Sequence, residues 1–263
     1  MLVDTHAHLD MMGDEKEIDT VIHRAVNGGV SRIISVGIDT DSSRAAVRLA
    51  REYACVYAAV GCHPHHADAC SRSELEELAG MASRREVVAW GEIGLDFYRN
   101  YASREAQQRI FEDQLALADE LHFPVIIHDR EAHEAVYATL KKSGKGKERG
   151  VIHCFSGDLS LAEALMDLGY FISIPGTVTY KNASMVKQVA STIPMDRLLM
   201  ETDAPFLAPV PKRGKRNEPL YVTYTAQEIA RLRGISIDEL AARTSENAGR
   251  LFGLDPGPAR GDL

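Results

Sequence analysis

Two histidines near the start of the chain, His6 and His8, are the first residues whose spacing indicates chemistry. They lie in the stretch DTHAHLD, and side chains two residues apart on a β-strand point to the same face. Imidazole is a common ligand of divalent metal ions. Further imidazoles and carboxylates occur in later apolar runs, and the candidates are Glu92, His128, His153 and Asp203. A lone strand histidine is more often a hydrogen-bonded core residue, but the combined set favours a metal centre.

The size of this set predicts two metal ions rather than one. Four imidazoles and two carboxylates exceed what one tetrahedral ion needs. Two ions roughly 3.5 to 4 Å apart, sharing one carboxylate, would use them all. We assign His6, His8 and Asp203 to one divalent ion, the two later histidines to the other, and Glu92 to both as the bridge. These donors suit zinc, nickel or cobalt and also accept manganese or magnesium.

Eight short β-branched runs, separated by segments of helical period, would position these residues. The predicted strands span residues 2–9, 32–38, 56–63, 86–96, 124–129, 150–155, 170–176 and 197–205. This alternation predicts right-handed βαβ units and an α/β fold, a (β/α)8 TIM barrel with a parallel core and extra C-terminal helices. A doubly wound sheet is disfavoured because no glycine-rich phosphate turn follows the first run. The candidate ligands then lie at the carboxyl ends of strands, where barrel enzymes have their active sites.

The composition is that of an ordinary globular protein. With 263 residues, 45% hydrophobic and 26% charged, we expect one domain over residues 1–263 with a flexible tail from about residue 253. No apolar run approaches the roughly 20 residues of a membrane helix, and the first residues lack the order of a secretory signal. These features predict a cytoplasmic protein without membrane contact, as a monomer or weak oligomer. The formal charge of −8 neither establishes nor excludes a nucleic-acid substrate.

The four cysteines form no CxxC pair, so we expect reduced thiols with a structural role. Cys62 and Cys154 each adjoin a histidine of interest. Because neighbouring strand residues face opposite sides, we expect both to be small buried packing residues rather than ligands.

A basic loop after the last predicted strand would place positive charge beside the metals. Residues 206–219 are rich in Pro, Lys and Arg. Most charge runs are solvated surface, but a cluster at the mouth of the site would attract a polyanion. The candidate substrate-binding residues are His63, His65, Arg130, Lys212, Arg213 and Asn217. Further candidates for base stacking or for the rim are Tyr98, Arg99 and Tyr101.

Six ordered blocks of the chain resemble the signature blocks of one enzyme family. They are DTHAHLD, GCHPH (61–65), GEIGLDFYR (91–99), IIHDR (126–130), HCFSG (153–157) and METDAP (200–205). Together they resemble the TatD family of metal-dependent hydrolases, within the amidohydrolase-like barrels, from residue 2 to about residue 252. The resemblance implies a TIM-barrel phosphodiesterase, a deoxyribonuclease that acts on single-stranded DNA as a 3′ to 5′ exonuclease. It also implies the same six metal ligands as those chosen above.

Catalytic roles are predicted for Asp203, Glu92 and His63. Two cations would acidify a water and neutralise a phosphoryl group, and Asp203 is the carboxylate best placed to take the proton of that water. Glu92 would hold both ions, and His63 is a candidate donor to the scissile phosphate or the leaving oxygen. Glu201 is expected either to orient the site or to be a buried hydrogen-bonded acid. Asp4 is expected to accept a hydrogen bond from a ligand imidazole.

Two other functions remain open from the sequence. A metal-activated water attacks a carbonyl as readily as a phosphorus, so hydrolysis of an amide, ester or lactone, including an aminoacyl-tRNA ester, is an alternative. The other alternative is a non-catalytic barrel that binds nucleic acid or a protein partner. The complete set of ligands disfavours the second.

Overall fold

The computed structural model describes residues 1–144, 146 and 149–254, and its centre is a barrel of parallel strands. The eight strands of this described part are β1 (Leu2–Ala7), β2 (Val30–Val36), β3 (Val56–Val60), β4 (Val87–Asp96), β5 (Val125–Arg130), β6 (Gly150–Ile152), β7 (Tyr170–Ile174) and β8 (Leu198–Met200). Each strand pairs in parallel with the next one along the chain. An isolated bridge between Ala7 and Ala204, with a hydrogen bond of 2.7 Å from His8 N to Ala204 O, joins the last strand to the first. The predicted TIM barrel is confirmed.

Helices surround this barrel, and most of them begin at a capping residue. Those in the described residues are α1 (Glu15–Asn27), α2 (Thr40–Glu52), α3 (Arg72–Ala82), α4 (Arg104–Glu120), α5 (His133–Lys142), α6 (Leu159–Asp167), α7 (Ser184–Thr192), α8 (Val222–Arg233) and α9 (Ile237–Phe252). Six follow an Asp or Ser whose side chain accepts a hydrogen bond from a backbone N–H three residues on. The cap satisfies a donor that would otherwise be unpaired at the start of the helix.

The last helix, α9, is an addition to the eight strand and helix units. Its residues Leu251 and Phe252 belong to the same buried cluster as Val3 and Phe171, which lie near the amino ends of β1 and β7. The helix therefore covers the amino end of the barrel and leaves the carboxyl end of the strands as the open mouth. In the described residues, no helix is long and apolar enough to span a bilayer.

Several strands are shorter than the sequence predicts. The predicted runs 56–63, 150–155 and 197–205 end at Val60, Ile152 and Met200 in the structure. The reason is local, since the chain turns out of the sheet with a positive φ of 45° at Cys154 and of 56° at Asp203. Several candidate ligands therefore lie in the turns immediately after the strands, where their side chains can converge on one another.

The predicted tail is only partly within the described residues. Gly253 ends α9 in a left-handed conformation with φ 64°, a position that favours glycine. Leu254 is 6% exposed and packs with the interior cluster. The rest of the predicted tail, residues 255–263, lies outside the described residues.

Candidate metal centre

The two carboxylate oxygens of Glu92 face two different groups of imidazoles. Oε1 lies 2.6 Å from His128 Nδ1 and 2.7 Å from His153 Nε2. Oε2 lies 3.4 Å from His6 Nε2 and 3.6 Å from His8 Nε2. The structure thus brings together residues from β1, the turn after β1, β4, β5 and the turn after β6, and it places Glu92 between the two pairs of histidines.

Asp203 completes the group around His6 and His8. The Nε2 atoms of these histidines are 3.3 Å apart, and Asp203 Oδ1 lies 3.9 Å from the first and 3.6 Å from the second. In the described part of the chain, every ion-pair partner of Glu92 and Asp203 is an imidazole. Four electron-rich atoms with little exposed surface therefore lie together: the Nε2 atoms of His6 and His8, Asp203 Oδ1 and Glu92 Oε2. This is the chemistry of a divalent cation site.

Groups behind the imidazoles orient them toward this centre. His8 Nδ1 lies 2.9 Å from Val36 O, and His128 Nε2 lies 3.3 Å from Asp96 Oδ2. An acceptor at one ring nitrogen keeps a proton there, so the other nitrogen faces the centre and can offer its lone pair once a cation displaces its own proton. His153 Nδ1 is 3.3 Å from Glu201 Oε1, although the two are not aligned for a hydrogen bond. This donor set fits divalent metal ions.

His63 differs from the other imidazoles because the ring nitrogen that faces the centre carries its only proton. Its Nε2 lies 3.5 Å from Glu92 Oε1, but its Nδ1 accepts a hydrogen bond of 3.0 Å from His65 N. Burial lowers the pKa of His63 to about 3, so the ring is neutral and carries its single proton on Nε2. Neutral His63 therefore presents an N–H donor to the centre rather than a lone pair, although it lies close enough to Glu92 and His128 to join a ligand group.

Glycines let the strands approach closely around Glu92. The register of β4 against β5 shifts between Trp90 and Ile93, which indicates a bulge at Glu92. A Cβ on Gly94, whose φ is 143°, would lie 2.0 Å from His128 O. A larger residue there would push β5 away and move His128 from Glu92.

The charges of the group are those of a site built for cations. Burial alone would raise the pKa of Glu92, but His153 and the hydrogen bond from His128 hold it well below its usual range. The pKa of Asp203 is lowered in the same way, against burial, by His8, His153 and His6. Both carboxylates are therefore ionised at neutral pH, and positive charge next to them is strongly favoured.

Asp96 is a part of the centre that the sequence prediction missed. Its Oδ2 lies 2.8 Å from His65 Nε2 and 3.3 Å from His128 Nε2, and its Oδ1 accepts hydrogen bonds from the backbone of Tyr98 and Arg99. It stands four residues after Glu92 in the block GEIGLDFYR, and this even spacing on one strand was a usable signal.

Replacing Asp96 with asparagine is expected to weaken metal binding by about 10- to 100-fold. The amide oxygen would stay with the backbone N–H groups that Oδ1 accepts from, and the NH2 group would then face His128 in place of the acceptor that orients it. Titration of metal into the variant measures this directly. Asp68→Asn, which removes an exposed carboxylate that accepts hydrogen bonds from Ser103, is the matched control. Equal metal affinity in Asp96→Asn and the control would contradict the positioning role.

Three predicted substrate residues are cations at the mouth, each held over an aromatic ring. Arg130 lies 4.4 Å from the ring centre of Tyr98. Lys212 lies 5.2 Å from that of Tyr221, and Arg213 lies 4.5 Å from that of Tyr180. Arg130 is the last residue of β5, and Lys212 and Arg213 stand on the loop after β8. His65 also lies at this end, with its ring 4.3 Å from that of His63.

Asn217 does not fit the predicted contact with substrate. Its side chain is fully buried, and its Nδ2 donates to Thr202 O (2.8 Å) and to Phe206 O (2.6 Å). Its Oδ1 accepts from the backbone N–H of Glu218. Because these bonds use the amide, Asn217 holds the loop after β8 in place instead of facing the solvent.

Two supporting roles also differ from their predictions. Among the described residues, no hydrogen bond or ion pair joins the Asp4 carboxylate to an imidazole. It accepts hydrogen bonds from Thr202 N (2.9 Å) and Thr202 Oγ1 (2.6 Å), so it ties β1 to the turn after β8. Burial raises the pKa of Asp4 to about 8.

Cys62 is buried as expected, whereas Cys154 is partly exposed because its positive φ breaks the strand alternation. Glu201 is a fully buried acid whose Oε1 accepts from Cys154 N.

Comparison with known proteins decides the family. A family model described as TatD related DNase matches residues 3–253. The chain belongs to the TatD family. The "Uncharacterized metal-dependent hydrolase YabD" of Bacillus subtilis is 42% identical over 255 residues, 97% of this chain and 100% of that protein. The "3′-5′ ssDNA/RNA exonuclease TatD" of Erwinia amylovora is 40% identical over 245 residues, 91% of this chain and 95% of that protein.

A solved TatD structure has the same fold over nearly its full length. The crystal structure of YjjV, a TatD homologue from Escherichia coli K12, has a TM-score of 0.90 at 34% identity and covers 97% of this chain and 98% of that chain. The resemblance seen in the sequence is confirmed. The protein is a TatD-family metal-dependent hydrolase, and the clustered histidines and carboxylates are its candidate metal centre.

Proposed function

We propose that this TatD-family hydrolase is a metal-dependent phosphodiesterase that removes nucleotides from single-stranded DNA in the 3′ to 5′ direction. The observation that carries the proposal is the position of Glu92, with one carboxylate oxygen toward each pair of histidines. That arrangement supports two divalent ions per chain with Glu92 as the bridge. The name of the Erwinia amylovora relative supports the choice of a nucleic-acid substrate.

The distances around Glu92 support one assignment of the ligand sets. The first ion would be held by His6, His8 and Asp203, the second by His128 and His153, and Glu92 would bind both. When bound, the two cations would lower the pKa of the attacking water and neutralise charge on the phosphoryl oxygens.

Proton transfer and substrate binding would use side chains of this chain. Asp203, whose side chain is 13% exposed, would accept the proton of the attacking water. His63 would donate its Nε2 proton in a hydrogen bond to a phosphoryl oxygen or to the leaving oxygen. The cations Arg130, Lys212 and Arg213 would attract the phosphate backbone, because they offer local positive charge on a chain of net charge −8.

A comparison of substrates tests this proposal. The metal-loaded protein is assayed side by side on a 3′-labelled single strand, a 5′-labelled single strand, a blunt duplex, an aminoacyl-tRNA and a simple lactone. We expect turnover of the single strands with stepwise shortening from the 3′ end, abolished by a chelator and restored by added metal. Turnover confined to the aminoacyl ester or the lactone would instead assign carbonyl chemistry to the same centre.

Metal binding is expected to release protons at neutral pH. Burial alone would lower the pKa of His8, but Asp203, Glu92 and the carbonyl of Val36 outweigh it and raise the pKa to about 9. Below that pH the ring is protonated in the metal-free protein, and a cation must displace the proton to reach Nε2. Metal affinity should therefore rise as the pH increases from 7 toward 9.

Calorimetric titration in buffers of different ionisation enthalpy measures this release. The variant His133→Gln is the control, because His133 pairs with Asp129 and not with this centre; it should release as many protons as the original protein. Metal binding without proton uptake by the buffer at pH 7 would show that the imidazoles are already neutral.

A further inference from the structure

Phe206 is an aromatic side chain left exposed beside the metal centre. It is 50% exposed, and its ring centre lies 6.1 Å from that of His8, with an angle of 66° between the two planes. Its neighbours Leu207 and Val210 are also exposed, at 37% and 46%. The loop after β8 therefore exposes three apolar side chains to solvent at the mouth of the barrel, and exposed apolar surface near a site is typical of a contact with a ligand.

The backbone under this ring is held from both sides. Phe206 N donates to Asp203 O at 2.8 Å, and Phe206 O accepts from Asn217 Nδ2 at 2.6 Å. The backbone that carries the ring is thus tied to the candidate proton acceptor three residues earlier. A platform that is already ordered loses little conformational entropy when a ligand stacks on it.

Positive charge lies on the same loop. Lys212 and Arg213 are each placed over a tyrosine ring, at 5.2 Å and 4.5 Å, and the hydroxyl of Tyr180 donates to Ala208 O at 2.9 Å. An apolar ring on the same loop as these two cations matches a chain in which flat bases alternate with phosphates. Base and aromatic rings stack without regard to sequence, since every base has a π-face.

We propose that Phe206 is a specificity-determining residue that stacks on the unpaired base next to the scissile phosphate. The inference rests on the proposed nuclease function and deepens it. In a duplex the terminal base is held by its pairing partner, whereas the base at the end of a single strand is free to turn its face toward a ring. Stacking on Phe206 would therefore select single strands and place the terminal phosphate at the metal centre.

Binding of a modified hexanucleotide tests the inference. The probe carries 2-aminopurine at its 3′ end and a phosphorothioate at the last linkage to resist cleavage; a matched probe is abasic at the 3′ position. We expect Phe206→Ala to weaken binding of the base-bearing probe by about 10-fold and to abolish the quenching of 2-aminopurine fluorescence. Binding of the abasic probe should not change, and Phe206→Trp should restore the quenching.

The measurement is made with and without metal, so it does not depend on turnover. Ile237→Ala, which truncates an apolar side chain of similar exposure (43%) on α9, is the control and should bind both probes as the original protein does. Equal losses on the two probes, or no loss on either, would overturn the role of Phe206. Failure of the proposed function would appear separately, as an absence of cleavage of unmodified single strands by the metal-loaded original protein.

Discussion

Replacing Glu92 with glutamine is expected to remove metal and activity together. Glu92 supplies an oxygen to each half of the centre, 2.6 Å from His128 Nδ1 on one side and 3.4 Å from His6 Nε2 on the other. An amide keeps the shape but loses the charge and one of the two acceptor atoms. We expect kcat/KM for phosphodiester cleavage to fall by at least about 10³-fold, and elemental analysis to give fewer than two equivalents of metal per chain.

Glu76→Gln is the matched control, because Glu76 is an exposed glutamate that pairs only with the exposed Arg72 among the described residues. It should keep the metal content and the activity. The circular dichroism and melting temperature of Glu92→Gln show whether the barrel remains folded. A folded Glu92→Gln protein with two metals and activity within about tenfold of the original would show that Glu92 is not the bridge.

Replacing Asp203 with asparagine is expected to affect the chemical step more than metal content. Asparagine keeps an oxygen near the position of Oδ1, which lies 3.6 Å from His8 Nε2, but it cannot accept a proton. We expect kcat to fall by about 10² to 10⁴-fold, the range of a lost general base. KM should change little, because no substrate contact is removed.

Metal content distinguishes Asp203→Asn from Glu92→Gln. Asp203→Asn should retain more metal than Glu92→Gln in the same elemental analysis, so that its loss of kcat is not a loss of cations. Asp196→Asn, on the short turn before β8, is a control of the same chemistry away from the mouth. If Asp203→Asn kept kcat within about threefold, another group would have to be the proton acceptor.

The barrel could be predicted because its signal is repeated along the whole chain. Eight apolar runs alternate with segments of helical period, and only a few folds accept that order. The ends of β3, β6 and β8 could not be predicted, because apolar and functional residues continue past the last ladder hydrogen bond. The turns after β6 and β8 depend on positive φ values at Cys154 and Asp203, and neither residue type predicts such a value.

The candidate ligands could be predicted for the same reason, since each stands at a corresponding point of its unit. The hydrogen-bond contacts around these ligands could not be predicted. The tautomer of His63 depends on the backbone N–H of His65, and the burial of Asn217 depends on carbonyls at Thr202 and Phe206. Such contacts join backbone groups in turns, and composition or periodicity carries no information about them.

The most direct test of the account is anomalous X-ray diffraction from crystals of the protein loaded with manganese or zinc. We predict two anomalous peaks roughly 3.5 to 4 Å apart, on either side of the Glu92 carboxylate. One peak should lie against His6, His8 and Asp203, and the other against His128 and His153. A single peak, or two peaks without Glu92 between them, would contradict the bridged two-metal centre.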